Sequence, residues 1–199
     1  MGLLDGKVAL IIGIANERSY AWFIAQSLIK HGAKCAFTHI PGEKNERRTR
    51  RAVEALGVTN PWLRPLDAGN DASIDEAFAE YAKTFDRMDT LVHSIAFADR
   101  EWLSPGKFCS TPRQAYLNAI DISSYTLLAL GQRARPMLAA SGGGSIMAMS
   151  YYGGEKVVPG YNVMGVAKAA LECTARYMAV SYTHLRAHET KANLVCRLL

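Results

Sequence analysis

Residues 7–12, KVALII, are a continuous run of mostly branched apolar side chains with no polar alternation. A strand wetted on one face alternates, whereas an unbroken run is buried on both, as in a parallel sheet covered by helices. The chain then repeats this theme. A turn over residues 13–19 leads into helical spacing over residues 20–31, closed by Gly32. Further strands are expected at residues 33–38, 61–66, 90–95 and 145–149, with a charged amphipathic helix over 43–56 closed by Gly57. Two prolines, Pro61 and Pro65, sit awkwardly in the third strand and leave its boundaries loose. Ser73 to Glu76 (SIDE) reads as a capping box that starts a helix running to Phe85. After a loop over 98–109, Thr111 to Gln114 (TPRQ) combines an N-cap, a proline at the first helical position and Gln at the third. One long helix is predicted from there to about Ala139, bent near Pro136, and a last helix over 161–178.

Strands alternating with helices across short joints imply the α/β class: a Rossmann-like, doubly wound parallel sheet. A chain of 199 residues suits a single domain with a substantial core. No run approaches the ~18 apolar residues of a membrane span, and the apolar segment near the N-terminus is too short for a secretory signal. Cys35, Cys109, Cys173 and Cys196 are scattered without metal-type spacing, which fits reduced thiols in the cytoplasm. The net charge is +5, and the densest basic run is Arg47, Arg48, Arg50 and Arg51. No aromatic residue interleaves it, so it reads as a solvated helix face, and neither a nucleic acid nor a membrane is expected as a partner.

In such sheets ligands bind beyond the carboxyl ends of the strands, here residues 13–20, 38–40, 67–68, 94–98 and 150–152. The first turn has one glycine, Gly13, so it reads as readily as an ordinary strand-to-helix turn as a pyrophosphate cradle. Asp67, followed by Ala68, could accept from an adenine amino group or cap a helix. The second strand ends at Thr38, His39 and Ile40 without an acid for a ribose 2′-hydroxyl. Lys44, Arg47 and Arg48 follow and suit a 2′-phosphate, so NADH and NADPH both stay open. Tyr161 and Lys168, seven residues apart, share a helix face, roughly 10 Å apart along the axis. An ammonium beside a phenol lowers the phenol's pKa and equips it as an acid or as a donor to an oxyanion. A buried tyrosine with a snorkelling lysine would satisfy the same spacing.

With GKVALIIGIANERSYAWFIA, LVHSIAFA, DISSY and MSYYGGEKVVPGYNVMGVAKAALE in view, the chain resembles the bacterial enoyl-acyl-carrier-protein reductases of the short-chain dehydrogenase/reductase type over about residues 1–180. The marker is Tyr-x6-Lys, Tyr161 to Lys168, with a second tyrosine, Tyr151, ten residues earlier. The commoner Tyr-x3-Lys is absent, because position 165 is Gly165. The resemblance implies catalytic roles for Tyr151, Tyr161 and Lys168, with Tyr161 on the thioester carbonyl and Lys168 on the nicotinamide ribose. It implies that Gly13, Ala15, Ser19 and Tyr20 line the pyrophosphate end and that Asp67 and Ala68 hold the adenine. Ser94, Ile95 and Ala96 would lie against the cofactor and Ala98 against substrate. NADH is the implied cofactor, with NADPH not excluded. The implied substrate is an enoyl thioester on acyl-carrier protein, and the implied assembly is a homotetramer with the Tyr161–Lys168 helix in its interface. A non-catalytic nucleotide-binding fragment, or another short-chain dehydrogenase/reductase, is the alternative.

After Val180 the resemblance ends, and SYTHLRAHET followed by LVCRLL resembles translated adapter read-through. The expectation is a reductase domain over residues 1–180, incomplete at its C-terminus, and an artefactual tail over 181–199. One or two sheet strands would then be missing or replaced, leaving an open strand edge and a nicotinamide pocket short of one wall. A divergent native C-terminus is the alternative.

Overall fold

The computed structural model describes residues 2–182 and, for the backbone alone, 187–190 and 195–198; the rest of the tail lies outside the described residues. Five parallel strands carry the fold: β1 (Val8–Ile12), β2 (Lys34–His39), β3 (Leu63–Pro65), β4 (Thr90–His93) and β5 (Gly144–Ala148). The tail adds β6 (Ala187–Thr190) and β7 (Val195–Leu198), giving the order β3-β2-β1-β4-β5-β7-β6. Strand β7 runs antiparallel to β5, with Ile146 opposite Cys196. The open edge expected beside β5 is therefore covered, since backbone N–H and C=O groups accept a neighbouring strand whatever its side chains.

Helices α1 (Tyr20–Lys30) and α2 (Glu43–Glu54) cover one face; α3 (Asp71–Thr84), α5 (Thr126–Ala140) and α6 (Asn162–Tyr182) cover the other. Alternate residues of β1 serve the two cores. Ala9 and Ile11 join Phe37, Leu63 and Val92 beneath α1 and α2. Val8, Leu10 and Ile12 join Leu91, Ile146, Leu130 and Leu171 on the other side. Burial pushes the Cys35 thiol up to about 12, consistent with an inert packing residue. At the amino ends of the strands the buried Asp89 accepts from the Val8 N–H at 2.9 Å, Lys7 Nζ at 3.0 Å and Arg87 Nε at 2.8 Å, pinning β1 to β4.

Four local expectations change. Helix α3 is capped by Asn70, whose side chain accepts from the Ser73 N–H at 3.2 Å, while Ser73 Oγ accepts from the Asp67 N–H. Both Asn70 and Ser73 are good caps, and the earlier one adds three residues, nearly a full turn of helix. Thr111 donates its hydroxyl proton to the Phe108 carbonyl, so α4 (Arg113–Ile120) begins after Pro112. The single long helix is instead α4, a π-helical turn over Asp121–Tyr125, and α5, which contains Pro136. Strand β3 keeps only three residues, at the sheet edge, where prolines are tolerated. The connection from β4 to α4 carries two short 3₁₀ turns, Arg100–Leu103 and Phe108–Ser110.

Candidate active site

At the carboxyl ends of β1, β2, β3 and β4 lies a cleft of about 470 Å³. Ile12, Ile14, Leu66, Ile95 and Ile122 give it apolar walls, while Thr38, His39, Asn45, Arg48, Thr49 and Asp67 give it polar ones. Gly13 shapes its floor. It has φ +110°, and a Cβ there would overlap the Ser94 carbonyl oxygen. Only glycine accommodates that conformation and that approach of β1 to β4. Asp67 Oδ1 accepts from the Gly69 N–H at 3.0 Å, so this acid shapes its own turn and is not a helix cap. Ser19 Oγ accepts from the N–H groups of Ala15 and Asn16 at 3.0 and 3.2 Å. Its hydroxyl thus orders the first turn, and α1 has no side-chain cap of its own.

Seven of the residues anticipated for a cofactor line this one cleft: Gly13, Ala15, Asp67, Ala68, Ser94, Ile95 and Ala96. Ser19, Tyr20 and Lys168 do not; Ser19 acts through the turn, Tyr20, 73% exposed, heads α1, and Lys168 lies on α6. Ala98 is half-buried in the loop beyond the cleft. Of the basic residues considered for a 2′-phosphate, Arg48 lines the cleft, whereas Lys44 and Arg47 do not. Thr49 was not anticipated. Buried, it donates to the Ile14 carbonyl at 3.0 Å and ties α2 to the first turn. Its signal was a hydroxyl on the apolar stripe with Ala52 and Val53.

Beyond β5 stand the two tyrosines and the lysine. The Tyr151 and Tyr161 rings meet at 4.7 Å between centroids, tilted by 60°. Tyr161 immediately precedes α6, so it flanks the helix that carries Lys168. A turn at Gly153 and Gly154 fits between the tyrosines and α6: a Cβ on Gly153 would sit 2.5 Å from the Tyr161 ring, and one on Gly154 3.1 Å from the Lys168 backbone. Gly165 has the matching role on the helix, its missing Cβ 2.7 Å from the Gly153 carbonyl. Lys168 is 5% exposed and donates from Nζ to the Met149 carbonyl at 2.6 Å, so it does not snorkel into solvent. Burial pulls its pKa down to about 8, against a smaller upward pull from Glu172. Burial pushes Tyr161 up to about 12, reinforced by Tyr151, where the spacing argument had a lysine lowering it. Desolvation of the phenol dominates, with no opposing pull from the lysine, and Tyr161 is a protonated donor at neutral pH.

Behind this group His93, the last residue of β4, is fully buried. Its ring nitrogen Nε2 lies 2.8 Å from Thr126 Oγ1, which itself donates to the Ile122 carbonyl at 2.8 Å. Nε2 is thus the donor, and Nδ1 has no partner among the described residues. The π-helical turn organises the centre. Ile122 lines the cleft, Ser123 bonds both the N–H and C=O of Phe97 at 2.9 and 3.0 Å, and Ser124 Oγ approaches Thr174 on α6 at 3.4 Å. Among the described residues no cluster of His, Cys, Asp and Glu could hold a metal ion, and no helix is long and apolar enough to cross a membrane.

The cleft's character fits a dinucleotide. Its apolar walls suit a purine, Asp67 supplies an acceptor, Arg48 a cation, and the glycine floor allows close backbone approach. The known proteins agree. The family profile described as Enoyl-(Acyl carrier protein) reductase matches residues 13–198. The enoyl-acyl-carrier-protein reductase (NADH) of Synechocystis sp. is 42% identical over 178 residues, covering 88% of this chain and 67% of its own length. That of Rickettsia bellii is 44% identical, covering 89% of this chain and 66% of its own length. The chain thus spans about two thirds of these relatives. The crystal structure of the Bacillus cereus enoyl-acyl-carrier-protein reductase with NADP+ and an indole naphthyridinone is similar at a TM-score of 0.87 and 39% identity, covering 92% of this chain and 70% of that one. The Aquifex aeolicus enzyme gives a TM-score of 0.86 at 42% identity, covering 92% and 76%. By sequence, by fold and by its paired tyrosines beside a buried lysine, the chain belongs to the enoyl-acyl-carrier-protein reductase family.

Proposed function

We propose that this protein reduces the trans-2 double bond of an enoyl thioester carried on acyl-carrier protein, in fatty-acid synthesis, with NADH as the reductant. The observation that carries the reading is the Tyr151–Tyr161 pair beside the buried Lys168 at the carboxyl end of the sheet. When bound, NADH supplies the hydride that adds to the β-carbon of the enoyl group. Residues Gly13, Ala15, Asp67, Ala68, Ser94, Ile95 and Ala96 would hold it, with Asp67 accepting from the adenine and Ser19 and Tyr20 shaping the α1 entrance. Arg48 keeps NADPH within reach as a second reductant.

Negative charge develops on the thioester oxygen as the β-carbon accepts hydride. Tyr161, protonated well above neutral pH, donates a hydrogen bond to that oxygen. Tyr151 packs against its ring and fixes the direction of the donor. Lys168 is largely an ammonium at neutral pH. One of its protons is committed to Met149, and the others would be free to donate to the ribose hydroxyls of a bound cofactor. Ala98 and the loop around it bound the acyl side.

The same reading takes residues 1–180 as the reductase domain and 181–199 as a foreign tail; the curated alignments span 176–183 residues, whereas the family profile runs on to residue 198. It takes the assembly as a homotetramer with α6 in its interface, supported by the exposed apolar side chains of Tyr177 and Val180 on that helix. It places the protein in the cytoplasm, in line with the free thiols of Cys35, Cys109 and Cys173. The test is NADH oxidation with crotonyl thioester. Turnover supports the proposal, and NADH binding without turnover shows that this chain is a nucleotide-binding fragment of such an enzyme.

A further inference from the structure

Asn162, the first residue of α6 and the neighbour of Tyr161, has φ +41°, in the left-handed region that non-glycine residues seldom adopt. Its side chain does not cap the helix. Both amide protons point outward: Nδ2 donates to the Trp102 carbonyl at 2.7 Å and to the Ser104 carbonyl at 2.8 Å. Because both partners are carbonyls, the amide orientation is determined by chemistry. Gly160, at φ +81°, brings the same segment against the Leu103 carbonyl, 3.2 Å from where a Cβ would stand. Trp102 and Ser104 belong to the loop that leaves the cleft after Phe97 and passes through Ala98. At its root Ser123 grips Phe97 on both backbone groups. Nearer its tip, the ion pair of Lys107 with Glu101 is exposed at 3.3 Å and contributes little.

We infer that Asn162 is a positioning residue: it fastens the substrate-side loop around Ala98 and Trp102 to the backbone beside Tyr161, so that loop and phenol hold one geometry. The unusual φ serves this purpose. It takes the first residue of α6 off the regular helical path while its side chain holds the two loop carbonyls. The catalytic part of the inference rests on the proposed reductase reading; the fastening itself does not.

The test separates backbone from side chain. Asn162→Gly keeps the positive φ without strain and removes both donors. Asn162→Asp keeps the size and the tolerance of positive φ, but sets an acceptor-only carboxylate against two carbonyl oxygens. Limited trypsin digestion of the folded chain reads the loop at Arg100 and Lys107, both exposed. Each variant should be cut there on the order of tenfold faster, the effect of losing two net hydrogen bonds. With crotonyl thioester, the KM should rise on the order of tenfold and kcat should fall, while NADH affinity by fluorescence stays within about twofold. Faster cleavage in a chain without turnover supports the fastening and refutes the reductase reading for this chain. Unchanged cleavage overturns the inference, and so does an unchanged KM in an active variant. A lower melting temperature with kcat scaled down at constant KM shows a purely structural role and also overturns it. Wild-type behaviour of Asn162→Asp does the same.

Discussion

His93 gives the fold an acid liability whose size follows from its surroundings. The ring is wholly buried, Nε2 donates to Thr126, and Nδ1 faces no partner among the described residues. Burial, then the Lys168 ammonium, push its pKa down to about 3. An unfolded chain titrates this imidazole near 6.5, so between those values the unfolded state binds a proton that the folded state refuses. Stability from this group is therefore complete above about 6.5 and is lost as pH falls toward about 3. Between about pH 7.5 and about pH 5 the folded ring stays neutral, so unfolded-state titration alone sets the loss, roughly 2 kcal/mol. That is a sizeable part of a typical 5–15 kcal/mol domain stability. His93→Gln keeps a donor within reach of Thr126 and has nothing to titrate. Urea unfolding of both proteins at the two pH values gives a double difference that cancels every other group. Wild type should lose roughly 2 kcal/mol more than the variant on acidification. A double difference below about 0.5 kcal/mol would mean that the folded ring accepts the proton, refuting the account of an unpartnered Nδ1 held neutral.

The remaining predictions concern the site itself. Tyr161→Phe should lower kcat by about 10²–10³ with NADH affinity unchanged, measured by steady-state kinetics and fluorescence titration. An equal loss of NADH affinity would remove Tyr161 from its assigned role. Lys168→Met should weaken NADH binding. In the wild type, affinity should hold below about pH 8 and fall, at most tenfold per unit, as pH rises through about 8 and the ammonium is lost. A pH-independent wild-type affinity would contradict that grip. Gly13→Ala combines a disfavoured φ with a clash against Ser94 and should cost roughly 2–5 kcal/mol in denaturant unfolding; a near-neutral result would show that β1 and β4 can separate.

The sheet was legible because its signal is local: KVALII has to be buried on both faces wherever it lies, and β1 supplies both cores. Tyr161 and Lys168 were legible through their spacing, but their electrostatics were not. Spacing brings a lysine near a phenol, whereas desolvation, which raises Tyr161, depends on everything packed around it. The α3 start was misplaced because Asn70 and Ser73 compete for one cap and the hydrogen-bonding needs of Asp67 decide between them. The partition of cofactor residues between the cleft and the first turn escaped for a similar reason. Nothing local says that Ser19 will spend its hydroxyl on the backbone of its own loop.

The π-helical turn over Asp121–Tyr125 sets a tolerance to insertions and deletions that residue-by-residue substitution would not reveal. Removing one residue there would restore regular α-helical pairing and rotate everything before it by about 100°. The hydroxyls of Ser123, Ser124 and Thr126 now reach Phe97, Thr174 and His93, on three separate elements. After such a deletion they would point away from at least two of them, although each side chain kept its identity. In this stretch the count of residues is itself a specification: it ties the spacing of a helix to the alignment of a strand end, a cofactor-side loop and the helix that bears Lys168.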